Sequence, residues 1–179
     1  MHNEFTNPNV IILLGYMGCG KSTVGAALAK QLNLPFEDLD SLITEAHTCS
    51  IPELFATKGV KKFRELEHET LIDALKNPTN RIVSLGGGTP CYHDNMTHIN
   101  MATPYVFYLE TTPASLAARL FFNREKRPLI AHTKTENELK EFVAKHLFER
   151  QSFYRKANHR IVVDTASVQE VVDAISDLC

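Results

Sequence analysis

The chain has 179 residues and a formal net charge of −2, a length that suits one domain with a substantial core. No Lys/Arg run is long, which argues against a nucleic-acid surface and leaves room only for a local cationic pocket. No apolar run approaches a membrane span, so no membrane partner is expected.

The four cysteines, Cys19, Cys49, Cys91 and Cys179, include no C-x-x-C pair, and the eight histidines have no ligand spacing. Reduced thiols in a cytoplasmic protein, without protein-bound zinc, are therefore expected. Residues 1–8 are polar, lack the features of a secretory signal and read as a short loose tail; 1–179 reads as a single domain.

In chain order, Val10-Ile11-Ile12-Leu13-Leu14 reads as a strand buried on both faces. Gly15-Tyr16-Met17-Gly18-Cys19-Gly20-Lys21-Ser22-Thr23 follows and satisfies G-x-x-x-x-G-K-[ST], the phosphate-binding loop. Its glycines let successive N–H groups turn inward, and the helix that starts near Lys21 adds its positive dipole end. Lys21 can reach the terminal phosphates, and the Ser22 hydroxyl suits Mg²⁺. Cys19, beside Lys21 and a helix N-terminus, is expected either to have a lowered thiol pKa and react with alkylators or simply to fill the loop.

The helix runs to Leu32, and Pro35 to Asp40 predicts a short strand with two acidic residues at its end. In a strand, Asp38 and Asp40 would share one side. One could hold Mg²⁺ through water and the other meet a substrate hydroxyl, or Asp40 could only cap the next helix.

Ser50-Ile51-Pro52-Glu53 is a capping box that opens a helix ending near Gly59, and Val60 to Leu75 predicts another. Arg64 and Glu67 lie one turn apart, as either a surface ion pair or a guanidinium held toward a substrate carboxylate. Arg81 to Leu85 is a further strand, followed by Gly86-Gly87-Gly88, a run suited to close approach of backbone N–H groups to a ligand.

Tyr105 to Leu109 predicts the fourth strand, and Thr112-Pro113 caps the next helix. Residues 123–135 carry charge without apolar periodicity and read as a mobile lid, where Arg124, Lys126 and Arg127 offer either a finger for the phosphates or a solvated charge run. Capping boxes at Thr135 and Ser167 open two more helices around a fifth strand, Ile161 to Val163. Alternating strands and helices imply an α/β fold with a parallel sheet covered on both sides.

In this order, the phosphate loop, Asp38-Leu39-Asp40, Phe63-Arg64-Glu65-Leu66-Glu67, Gly86-Gly87-Gly88, Arg127-Pro128-Leu129 and Arg150 with Tyr154 resemble the shikimate kinases, from about Val10 to the C-terminus. The resemblance implies a three-layer α/β/α fold, strand order 2-3-1-4-5, and transfer of the ATP γ-phosphate to the 3-hydroxyl of shikimate by a monomer. It implies that Gly18, Cys19, Gly20, Lys21, Ser22, Thr23 and Arg127 bind ATP, and that Ser22 and Asp38 hold Mg²⁺. Lys21, Asp40 and Arg127 would be catalytic, with Asp40 as the base. Asp40, Arg64, Gly86, Gly87, Gly88 and Arg150 would bind shikimate, with Glu67 supporting Arg64. The adenine segment would fall near residues 164–167. Leu85 stands where many relatives carry Thr, and Ser84 is the candidate substitute hydroxyl.

Overall fold

Val10–Leu14 forms β1, with all five residues buried, because a β-branched and leucine-rich run has no polar face to turn toward water. The computed structural model describes residues 10–77 and 79–179, so the expected tail at 1–8 lies outside the described residues. β1 is the middle of a five-stranded parallel sheet with β2 (Phe36–Asp38), β3 (Arg81–Ser84), β4 (Val106–Glu110) and β5 (His159–Val162), in the order β2-β3-β1-β4-β5. Leu13 is in register with Ser84 and Phe107, and Asp38 with Ser84, so the ends of β1, β2 and β3 lie together where ligands bind in open α/β sheets.

Helices α1 (Lys21–Leu32) and α7 (Val168–Ser176) pack together, as do α2 (Leu39–His47) with α3 (Ile51–Lys76) and α5 (Pro113–Phe121) with α6 (Glu136–Tyr154). The capping boxes at Ser50 and Ser167 both form. At Thr135 only half forms, because Glu138 turns its carboxylate to the Lys134 N–H, 2.7 Å away.

Two features differ from the sequence expectations, the end of β2 and an added helix. The strand after Pro35 stops at Asp38, and α2 begins at once, with Asp38 as its N-cap. The two helices expected around Gly59 do meet there: within Ile51–Lys76 the helix is broken at Gly59, which takes φ 75° and ψ 168°, a conformation only glycine adopts readily. A further helix, α4 (Asn95–Ala102), follows a 3-10 turn at Thr89–Cys91. Within the expected lid segment, Ile130 is fully buried and Arg124 donates to the carbonyls of Phe121 and Thr133. Among the described residues, no helix is long and apolar enough to cross a membrane.

Candidate active site

The phosphate loop leaves β1 with Gly15, Gly18 and Gly20 all at positive φ. Gly18 is confined twice over, since a Cβ there would stand 2.7 Å from the Leu120 side chain at φ +80°. The Lys21 ammonium is buried and folded back on the loop, donating to the carbonyls of Gly15 (2.8 Å) and Tyr16 (3.1 Å). Ser22 and Thr23 are exposed at the start of α1.

Cys19 is only 2% exposed, with its N–H bonded to the Tyr16 carbonyl and its Sγ packed against Gly15. The thiol therefore fills the loop, and the expected alkylation site is not accessible.

Asp38 gathers the ends of three elements. Its Oδ1 accepts from the Asp40 N–H at 3.0 Å, and its Oδ2 accepts from the hydroxyls of Ser84 (3.2 Å) and Ser22 (3.4 Å). The expectation that both aspartates share one side of a strand is corrected, because Asp40 lies in the first turn of α2. The alternative that Asp40 caps that helix is corrected too: Asp38 is the cap. The Ser84 hydroxyl thus faces the site through Asp38, while Leu85 is buried in the core.

Asp40 lines a cleft of about 830 Å³ together with Tyr16, Arg64, Gly87, Gly88 and Arg150. Burial pushes its carboxyl up to about 6, and the negative charges of Asp38 and Glu67 push the same way, against Lys21 and Arg64. Gly86 lies behind this wall, where a Cβ would come within 3.0 Å of Asp40 Oδ1.

The far wall is built around Arg64, whose Nη1 donates to Glu67 Oε2 at 2.6 Å. Its guanidinium also lies 4.2 Å from the Tyr92 ring centroid and 5.2 Å from that of Phe63. Arg64 Nε is buried without a protein hydrogen-bond partner, which suits an acceptor supplied by a ligand. A Cβ on Gly88 would stand 2.6 Å from Arg64 Nη2, so this glycine is required by close approach, not by its backbone angle.

Arg150 donates to the His146 carbonyl at 3.0 Å, and the His146 Nδ1 pairs with the Tyr16 hydroxyl at 2.8 Å. Tyr154, one turn along α6, donates to the Gly87 carbonyl and so fastens the glycine run.

Arg127 is not on this cleft. Among the described residues its guanidinium bonds the Asn123 carbonyl of its own segment, at 3.3 Å, while Pro128 and Leu129 form part of the wall. A second hollow opens on the other side of the phosphate loop, between Gly20, Thr23, Arg119, Val163 and Ala166. Arg119, which the sequence reading left without a role, donates there to the carbonyl of Val163 at 2.8 Å.

The apolar wall of the cleft adds Phe55 and Val60, which carry no role in the sequence motifs. Val60 is 58% exposed beside the Gly59 kink.

Among the described residues, no three His, Cys, Asp or Glu side chains converge as a metal cage. The oxygen pair of Ser22 and Asp38, 3.4 Å apart beside the phosphate loop, is a hard donor set of the kind Mg²⁺ accepts while keeping its waters.

A sequence profile described as shikimate kinase matches residues 17–179. The shikimate kinase of Flavobacterium johnsoniae is 45% identical over 168 residues, covering 94% of this chain and 97% of the relative. Among solved structures, the shikimate kinase of Bacteroides thetaiotaomicron aligns with a TM-score of 0.84 at 36% identity, over 95% of this chain and 96% of that one. The shikimate kinase of Acinetobacter baumannii, solved in complex with shikimate, aligns with a TM-score of 0.83 at 27% identity, over 97% and 93%. A phosphate loop facing an arginine-walled cleft, in a chain matched along nearly its whole length, agrees with these likenesses: the chain belongs to the shikimate kinase family.

Proposed function

We propose that the chain transfers the γ-phosphoryl group of ATP to the 3-hydroxyl of shikimate, giving shikimate 3-phosphate and ADP. The observation that carries this reading is one cleft with an ion-paired arginine on its far wall and a carboxylate of raised pKa toward the phosphate loop.

Shikimate brings a carboxylate and ring hydroxyls. Arg64 and Arg150 bind the carboxylate, and the backbone of Gly87 and Gly88 approaches the ring, with Gly86 spacing it from Asp40. Asp40 accepts the proton of the reacting hydroxyl, and a carboxyl pushed up to about 6 is a better acceptor than an ordinary aspartate while still mostly ionised at pH 7.

On the donor side, Gly18, Cys19, Gly20 and Thr23 present the loop backbone and helix start to the phosphates. Lys21 leaves its carbonyls for them, and Arg127 swings from the lid to the transferring group. These cations neutralise charge in a loose transition state, where positioning outweighs base strength. Ser22 and Asp38 would hold Mg²⁺, which would supply charge neutralisation for the phosphates. The hollow between Arg119 and Ala166 suits adenine, since Ala166 falls in the expected 164–167 segment. Action as a monomer in the cytoplasm belongs to the same proposal, and four free thiols suit that compartment.

The test is a coupled ADP assay with ATP, Mg²⁺ and a panel of acceptors. Turnover should rise sharply with shikimate and stay at the background level with gluconate or nucleoside monophosphates. A higher kcat/KM for either of those would overturn the assignment.

A further inference from the structure

We propose that Thr89 and Asn95 are positioning residues for the acceptor carboxylate, setting the Arg64 guanidinium through a closed ring of buried and half-buried hydrogen bonds. Neither residue lines the cleft, so neither touches the acceptor. The inference rests on the reading that Arg64 binds the carboxylate.

The ring starts on α3. Glu67 is 1% exposed, and each of its carboxylate oxygens has a directed partner. Oε2 accepts from Arg64 at 2.6 Å, and Oε1 accepts from the Thr89 hydroxyl at 2.7 Å. Thr89 is fully buried, its N–H held by the Gly86 carbonyl at 3.1 Å. Its own carbonyl accepts from Asn95 Nδ2 at 2.7 Å. Asn95 is 1% exposed, and its Oδ1 lies 2.6 Å from His68 Nδ1, which therefore carries the proton. His68 is one helical turn beyond Arg64 on α3, and there the ring closes.

This circuit joins the helix that carries Arg64 to the segment that carries Gly87 and Gly88, the two walls between which the acceptor fits. Buried bonds to a charged group are strong, and removing one partner leaves the other with its full desolvation cost.

The Thr89 hydroxyl also keeps Glu67 in its role. Glu67 Oε1 and Asp40 Oδ1 converge at Gly86, lying 3.3 Å and 3.0 Å from where a Cβ would stand. Without the hydroxyl, Oε1 faces the Asp40 carboxylate alone. Like charges so placed repel, which would turn Glu67 away from the geometry in which its Oε2 holds Arg64.

The experiment is steady-state kinetics of Thr89→Val, Thr89→Ser and Asn95→Leu, with shikimate and ATP varied separately, and Thr89→Val repeated in an Arg64→Ala background. Thr89→Val should raise the KM for shikimate about ten-fold, with kcat and the KM for ATP within about two-fold. Thr89→Ser should restore the wild-type KM, and Asn95→Leu should show the same split at about three-fold. In the Arg64→Ala background, Thr89→Val should add less than about two-fold, since its effect passes through the missing guanidinium.

A Thr89→Val penalty that persists undiminished in that background, or one that falls equally on both substrates, overturns the inference and leaves the carboxylate reading intact. An Arg64→Ala enzyme with unchanged KM for shikimate overturns the carboxylate reading itself and the inference with it. If Thr89→Val fails to fold, Asn95→Leu in both backgrounds carries the same comparison, and an unchanged KM for shikimate in it overturns the inference.

Discussion

The two halves of the site are prepared to different degrees. On the acceptor side Arg64 is clamped by Glu67, flanked by Phe63 and Tyr92, and backed by Gly88, while Glu67 has a partner for each oxygen. On the donor side Lys21 rests on two carbonyls of its own loop, Ser22 is exposed, and Arg127 holds one long bond to its own segment. Neutral carbonyls are weak holds for a cation compared with a buried carboxylate. Arg64 is therefore fixed before any ligand arrives, whereas the donor cations, like Arg150 on its His146 carbonyl, stay free to move.

The largest effect expected from this contrast is on the donor side. Arg127→Ala should lower kcat about 10³-fold if the lid arginine stabilises the transferring group, and Lys21→Met should lower it about 10²- to 10³-fold. Neither change should move the thermal midpoint much, because each removes bonds within its own segment, to backbone carbonyls and, for Lys21, to the Cys19 Sγ. A large loss of stability in either variant, measured by thermal unfolding, would erase the difference between the halves.

Arg64→Ala should behave in the opposite way. It should raise the KM for shikimate about 10²-fold, in line with truncating a buried charge pair at an interface. It should also destabilise the fold by about 3 kcal/mol, because Glu67 stays buried without its cation. Kinetics and denaturant unfolding on the same preparation check both parts. A kinetic loss without the stability loss would mean that Glu67 finds another partner and the clamp is not prebuilt.

How far each half could be read from sequence follows the same division. The phosphate loop is contiguous, and its glycines, lysine and serine act within nine residues, so the pattern alone exposes it. Strand β1 and the boxes at Ser50 and Ser167 are equally local. The clamp joins Arg64 and Glu67 to Thr89 and Asn95, and the ties Tyr16–His146 and Tyr154–Gly87 span 130 and 67 residues. Thr89 and Asn95 are small polar residues, typed by sequence as turn formers, and only burial marks them as structural. Helix α4 was missed for a related reason: Asn95, Met96 and Ile99 are its buried residues, and an apolar stripe interrupted by asparagine has no clear period. Asp38 misled in the other direction, because a strand that turns into a helix without a linker breaks the spacing rule between Asp38 and Asp40.

Asp40 stands between the halves, and it carries the smallest and most diagnostic prediction. Its carboxyl is pushed up to about 6 in the folded protein, chiefly by burial and then by Asp38 and Glu67, against 3.8 for an unperturbed aspartate. Between those two values the folded state binds more protons than the unfolded one, so stability falls as pH rises through the window. Above it, the ionised group destabilises the fold by an amount that solvent screening holds to about 1–2 kcal/mol. Asp40→Asn should therefore be more stable than the wild type by about that amount at pH 8, with the gain vanishing below about pH 4, where the native aspartate is neutral in both states. In the wild type the same proton should lower kcat/KM as pH drops below about 6, and the asparagine variant should lack that limb. Urea unfolding across pH 4–8 reads the first effect, and the pH–rate profile reads the second. If Asp40→Asn destabilises the protein at pH 8, then Asp40 is an ordinary structural aspartate and the strain assigned to it does not exist.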